Sequence, residues 1–180
     1  MRILGIDPGS RKAGWAVIEV EGKKVSYIAS GVLNFENIKE LVDRLAVISK
    51  SASELNSLYS PDVLSLESLI YVKSVTSLAK LAQARGAMIS GFGEEFQGKI
   101  FEYSPNLIKS SVTGHGHATK EGVEKTLRMI FGDLNFKTAD ESDALAIALC
   151  HSLNLGNPKT KAKPKTKSRS LKQAFKHLAK

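Results

Sequence analysis

Apolar residues in the first third of the chain fall in short runs cut by turn residues. Arg2–Asp7 carries Ile3, Leu4 and Ile6, and residues 14–20 and 24–33 are similarly β-rich, with Pro8-Gly9-Ser10 and Glu21-Gly22-Lys23 between them. Three short strands joined so tightly predict an antiparallel meander. The period then changes. Over residues 38–59 the apolar positions Leu41, Leu45, Ile48, Ala52, Leu55 and Leu58 recur at helical spacing, with Asn37 as the expected cap. Residues 62–67 return to strand character after Pro61. Residues 75–96 are helical in pattern, with Leu78, Leu81, Ala82 and Ala87 on one side, and residues 99–103 form a further strand. Helices are expected over 105–112, 119–131 and 140–153, the middle one preceded by a Gly-His loop at 114–117. A meander followed by βαβ units predicts an α/β fold, a mixed sheet flanked by helices.

One polar position breaks this pattern. Asp7 ends an apolar strand at the edge of the expected core, where an unpartnered carboxylate is costly. Glu67 repeats the arrangement at the end of Val63-Leu64-Ser65-Leu66. If the two strands are neighbours, both acids face one crevice at their carboxyl ends. Asp140 and Asp143, three apart at a helix start, share a face, although acids there also complement the helix dipole. Four acids in one pocket repel, and a dication offsets the repulsion. Hard oxygen ligands point to Mg²⁺, with Mn²⁺ as a substitute. Two such ions, about 3.5–4 Å apart, activate water and stabilise the leaving oxygen of a phosphodiester.

Composition narrows the setting. The chain has 180 residues, 42% hydrophobic and 24% charged, which suits one domain with a respectable core. Its single cysteine, Cys150, excludes an intrachain disulfide and lies in an apolar run, where a buried inert thiol is expected. No apolar run approaches the ~20 residues that span a bilayer, and Met1-Arg2 leads straight into a strand, unlike a secretory signal. A cytoplasmic location without membrane contact is expected. The net charge of +8 is unevenly placed: residues 156–180 hold nine Lys/Arg and no acid, leaving 17 Lys/Arg against 18 Asp/Glu in the rest. The expected organisation is therefore one folded domain over 1–155 and a basic tail over 156–180, disordered when unbound because apolar residues are few. Leu171, Phe175 and Leu178 at i, i+4 and i+7 allow a short helix at its end.

Four segments taken in order carry a resemblance: Ile3-Leu4-Gly5-Ile6-Asp7-Pro8-Gly9-Ser10, Leu66-Glu67-Ser68, Gln83-Ala84-Arg85-Gly86, and Asp140-Glu141-Ser142-Asp143 with the apolar residues after it. Together they resemble the RuvC family of Holliday junction resolvases, from about residue 2 to residue 151. The resemblance implies a ribonuclease H-like fold, a homodimer, and Mg²⁺-dependent paired nicks across four-way junction DNA. It also implies cooperation with the RuvA–RuvB branch-migration machinery. Carried over by position, Asp7, Glu67, Asp140 and Asp143 match the catalytic, metal-holding acids, and Lys109 and Lys120 match basic positions serving the same site. Independently, Lys120 opens a helix, whose amino end favours phosphate.

Further DNA contacts are expected from Lys73, Lys80 and Arg85 on or near the second long helix, and from His115 and His117 in the glycine loop. The family places an aromatic three residues after the strand-end Glu; this chain has Ile70 there, followed by Tyr71. Ile70 wedging between base steps, or Tyr71 stacking on a base, would serve the crossover. Other functions compete with junction resolution. A ribonuclease H-like nuclease acting on structured RNA shares the acids. A non-catalytic branched-DNA-binding protein gains nothing from four clustered negative charges. A sugar-kinase or actin-like ATPase also starts with strand-Asp-x-Gly but needs a second domain.

Overall fold

The computed structural model describes residues 1–69 and 74–155. Ile70, Tyr71, Lys73 and the tail from residue 156 lie outside the described residues. The meander forms as the turn residues predict, from β1 (Arg2–Asp7), β2 (Lys12–Glu21) and β3 (Lys24–Asn34). It continues through α1 (Leu41–Tyr59), β4 (Val63–Glu67), α2 (Val75–Gly91), a 3-10 turn at Glu94–Phe96 and β5 (Ile100–Tyr103). Three helices follow: α3 (Pro105–Thr113), α4 (Lys120–Phe131) and α5 (Ala139–Leu153). The sheet order is β3-β2-β1-β4-β5. The first three strands pair antiparallel, and β1–β4 and β4–β5 pair parallel. The sheet is mixed, as expected, and β1 is its central strand.

Each face of the sheet has its own core. On one side α1 and α2 bring Ile48, Ala52, Leu55, Ala84 and Met88 against Leu4, Ile6, Val17, Leu64 and Leu66. On the other, α5 runs buried along most of its length beneath α3 and α4 and packs on Ile3, Ala16 and Ile18. Alternation along β1 divides its side chains between the two faces. Cys150 is buried at this level, as the apolar run predicts. His151 is buried beside it, with Nδ1 2.7 Å from the Tyr103 hydroxyl, and burial pushes its pKa down to about 4, so the ring is uncharged near neutrality.

Several sequence expectations need correction. Asn37 does not cap α1; the cap is Glu40, which makes no side-chain capping bond. Leu58, expected on the buried face of α1, is exposed, and Arg44 is buried instead. The helix expected over 75–96 breaks after Gly91. Gly93 adopts φ +86°, a left-handed conformation that only glycine accepts cheaply, and a 3-10 turn follows. The face of α2 that buries is Ala84, Arg85 and Met88, while Ala82 is exposed.

Candidate active site

Asp7 and Glu67 end adjacent parallel strands. The β1–β4 register closes at Ile6–Leu66, so both acids emerge one residue beyond it, at the carboxyl ends where the crevice of an α/β sheet opens. The third and fourth acids arrive on α5, which must come unusually close to the sheet. A Cβ on Gly14 would collide with the main-chain oxygen of Asp140, and one on Gly5 with Ala144 O and Ala148 N. These two glycines let the first turns of α5 settle against β2 and β1, opposite Asp7 in the case of Gly14.

The result is a cavity of about 310 Å³ lined by Asp7, Glu67, Asp143, Lys109 and Lys120, with apolar walls from α3, α4 and α5. Asp140 is outside the lining but close enough to raise the pKa of Asp7. Lys120 opens α4, whose cap is Thr119 accepting from Gly122 N, and its Nζ lies 2.9 Å from Asp143 Oδ2. That bond and the surrounding acids raise the Lys120 pKa, so its ammonium stays charged. Lys109 lies on α3, begun by Ser104 as cap and Pro105 in the first turn.

Electrostatically the site is overloaded with negative charge. Burial, then Asp143, Glu67 and Asp140, push the Asp7 carboxyl from 3.8 to about 7, and Lys120 opposes them. Glu67 is raised by burial and Asp143, against Lys109, Lys120 and Arg85. Among the described residues no three acid, His or Cys side chains converge as closely as a bound ion would draw them. An assembly of carboxylates that keeps one of its members partly protonated has the donors and the surplus charge that a divalent cation takes up, so the residues present fit such an ion.

The expected DNA contacts separate into three groups. Lys80 is exposed on α2, and His115 and His117 are exposed in the α3–α4 loop, away from the cavity lining. Ile70, Tyr71 and Lys73 fall outside the described residues. Arg85 is a correction: it is 4% exposed, its Nη1 donates to the main-chain oxygen of Glu67 at 2.6 Å, and its Nη2 pairs with Glu102, so its guanidinium is not presented to a phosphate. Sequence reasoning missed Arg44 as well, whose guanidinium donates to Ser10 O and Lys39 O behind the turn after β1. It also missed Gly5 and Gly14, for which a glycine inside a strand was the available signal.

A mixed sheet in this order, with acids at the ends of β1 and β4 and on the helix crossing them, defines the ribonuclease H-like class of nucleases. The family is narrower and follows from comparison with known proteins. The profile of the family described as Crossover junction endodeoxyribonuclease RuvC matches residues 3–151. A RuvC protein of that description from Rhizobium johnstonii is 36% identical over 158 residues, 87% of this chain and 92% of that protein. The structure of T. thermophilus RuvC in complex with Holliday junction substrate superposes with a TM-score of 0.77 at 29% identity, over 85% of this chain and 93% of the other. The yeast mitochondrial Holliday junction resolvase Ydc2, at 17% identity and a TM-score of 0.60 over 84% and 78% of the two chains, shares the fold. The chain belongs to the RuvC family of crossover junction endodeoxyribonucleases, and with it to the divalent-metal-dependent nucleases.

Proposed function

We propose that this protein resolves four-way DNA junctions by paired symmetric nicks, using Mg²⁺ held by Asp7, Glu67, Asp140 and Asp143. The observation that carries the reading is the meeting of three of these acids with Lys109 and Lys120 in one cavity, with Asp140 in electrostatic reach. When bound, the cations supply Lewis-acid stabilisation of phosphodiester oxygens and ease deprotonation of water. The chain's own residues do the rest. The carboxylates take the cations and orient them. The Lys120 and Lys109 ammoniums meet the negative charge of the phosphate, and Lys120 does so from the amino end of α4, where the helix dipole has the same sign. The apolar walls formed by Pro105, Ile108, Val123 and Ile147 lower the local dielectric on one side of the site and strengthen these interactions.

Paired nicks require two such sites at a fixed separation, which a two-fold homodimer supplies. Lys80, His115, His117, Lys73 and the crossover residues Ile70 or Tyr71 are assigned to junction contacts, and the tail over 156–180 to the phosphate backbone. Coupling to the RuvA–RuvB complex and a cytoplasmic location belong to the same reading; no helix among the described residues is long and apolar enough to cross a membrane. The family favours junction DNA over structured RNA, and an intact acid set disfavours a purely binding role.

The test compares a mobile four-way junction, a linear duplex and an RNA–DNA hybrid in Mg²⁺, with the parent and with Asp7→Asn. Symmetric nicks confined to the junction are expected from the parent. Asp7→Asn is expected to bind the junction and not to cut it. Normal cutting by that variant would remove Asp7 from the site.

A further inference from the structure

Arg85 holds an arginine's full charge in a place where helices of soluble proteins rarely keep one. It lies on the buried face of α2, opposite the cavity, with its side chain 5% exposed. Its partners explain its location. Glu67 stands one residue past the last β1–β4 register pair, although β5 still pairs with it at Tyr103, so pairing on the β1 side ends just before the carbonyl that accepts from Arg85 Nη1 at 2.6 Å. Nη2 pairs with Glu102, which projects from β5 at the register position of Leu66. One planar guanidinium therefore ties the end of β4 to α2 and to β5 at the residue that bears the acid. Its charge also opposes, behind Lys109 and Lys120, the rise in the Glu67 pKa that burial and Asp143 cause.

We propose that Arg85 is a positioning residue for the cation site: by fixing the peptide of Glu67 from beneath, it sets the direction in which the Glu67 carboxylate enters the cavity. The inference rests on Glu67 being a cation ligand. Glutamate side chains turn with their own peptide plane, and past the β1–β4 pairing the N–H side of that plane is held by β5, where Ser68 N donates to Tyr103 O at 2.8 Å, while its carbonyl side has no register partner on β1. Two N–H groups of fixed geometry, directed at two different strands, anchor that carbonyl side and complete the hold on the peptide. A lysine has the charge without the fork.

The test measures Mn²⁺ binding to the full chain by calorimetry, without DNA or turnover, for Arg85→Gln, Arg85→Lys, Glu102→Gln and, as reference, Glu67→Gln. Loss of a group that orients a ligand typically weakens metal binding about 10–100-fold. That range is expected for Arg85→Gln and also for Arg85→Lys, which keeps the charge. Glu102→Gln, at a side chain 55% exposed, is expected to fold as the parent does and to weaken binding in the same direction by a smaller factor. A melting temperature for each variant separates positioning from stability. Parental Mn²⁺ affinity in Arg85→Lys, or in a folded but destabilised Arg85→Gln, overturns the proposal. If Arg85→Gln does not fold, parental affinity in both Arg85→Lys and Glu102→Gln overturns it. Parental affinity in Glu67→Gln overturns instead the assignment of Glu67 to the cation, a distinct failure.

Discussion

At the scale of single residues, the site trades stability for charge. The carboxyl of Asp7 is raised to about 7 in the folded chain, against 3.8 when unfolded. A raised acid contributes fully to stability below the unfolded value, and the contribution is lost as pH rises through the folded one. Without cations the protein should therefore lose stability between about pH 4 and pH 7 on this account. Asparagine cannot ionise, so Asp7→Asn is expected to be more stable than the parent in EDTA at pH 8 by about 1–3 kcal/mol, allowing for the partial exposure of the group. The gap should shrink at pH 5 and on adding Mg²⁺ to the parent. Thermal melts at both pH values check this, and an equal gap at both would show that ionisation is not the cause. Asp7 and Glu67 were legible in the sequence because an acid ending an apolar strand has no folding rationale. Arg85 and Arg44 were not, because arginine on a helix reads as solvated until packing shows which face is covered.

At the scale of elements, the acids meet because α5 lies almost in contact with the meander. The main-chain oxygen of Asp140 occupies the space that a side chain on Gly14 would need. Gly14→Ala should push the amino end of α5 outward, costing about 1–3 kcal/mol or more through overpacking. Cleavage should fall more steeply than stability, because Asp140 and Asp143 move with the helix. Paired measurements of melting temperature and single-turnover cutting test this; a variant that loses stability yet cuts at the parental rate would separate helix docking from the site. Strand boundaries were read from the sequence to within two residues in most cases, since turn residues punctuate them. The break after Gly91 and the shifted face of α2 were not, because apolar residues of α2 such as Leu78 are only partly buried and the helix also buries a charged residue.

At the scale of the molecule, charge is divided. The body over 1–155 carries a formal charge of −1 and places acids at its site, whereas residues 156–180 carry nine Lys/Arg and no acid. If the tail holds DNA phosphates, deleting 156–180 should flatten the salt dependence of junction binding, by up to about 8 in the log–log slope were all nine cations engaged on duplex arms. Cutting at low salt should persist. Titrations of both forms across salt concentrations measure the difference, and identical slopes would assign the tail another role. The sequence by itself determined the alternation of strands and helices, the mixed sheet and which acids are candidates for the site, because hydrophobic period and misplaced charge are local properties. Only the tertiary structure decided that strands 60 residues apart in sequence set Asp7 and Glu67 side by side, that two glycines admit α5, and that Arg85 faces inward to hold Glu67. Those are matters of contact between distant segments, and contact is fixed by how the surfaces pack rather than by any residue's own preference.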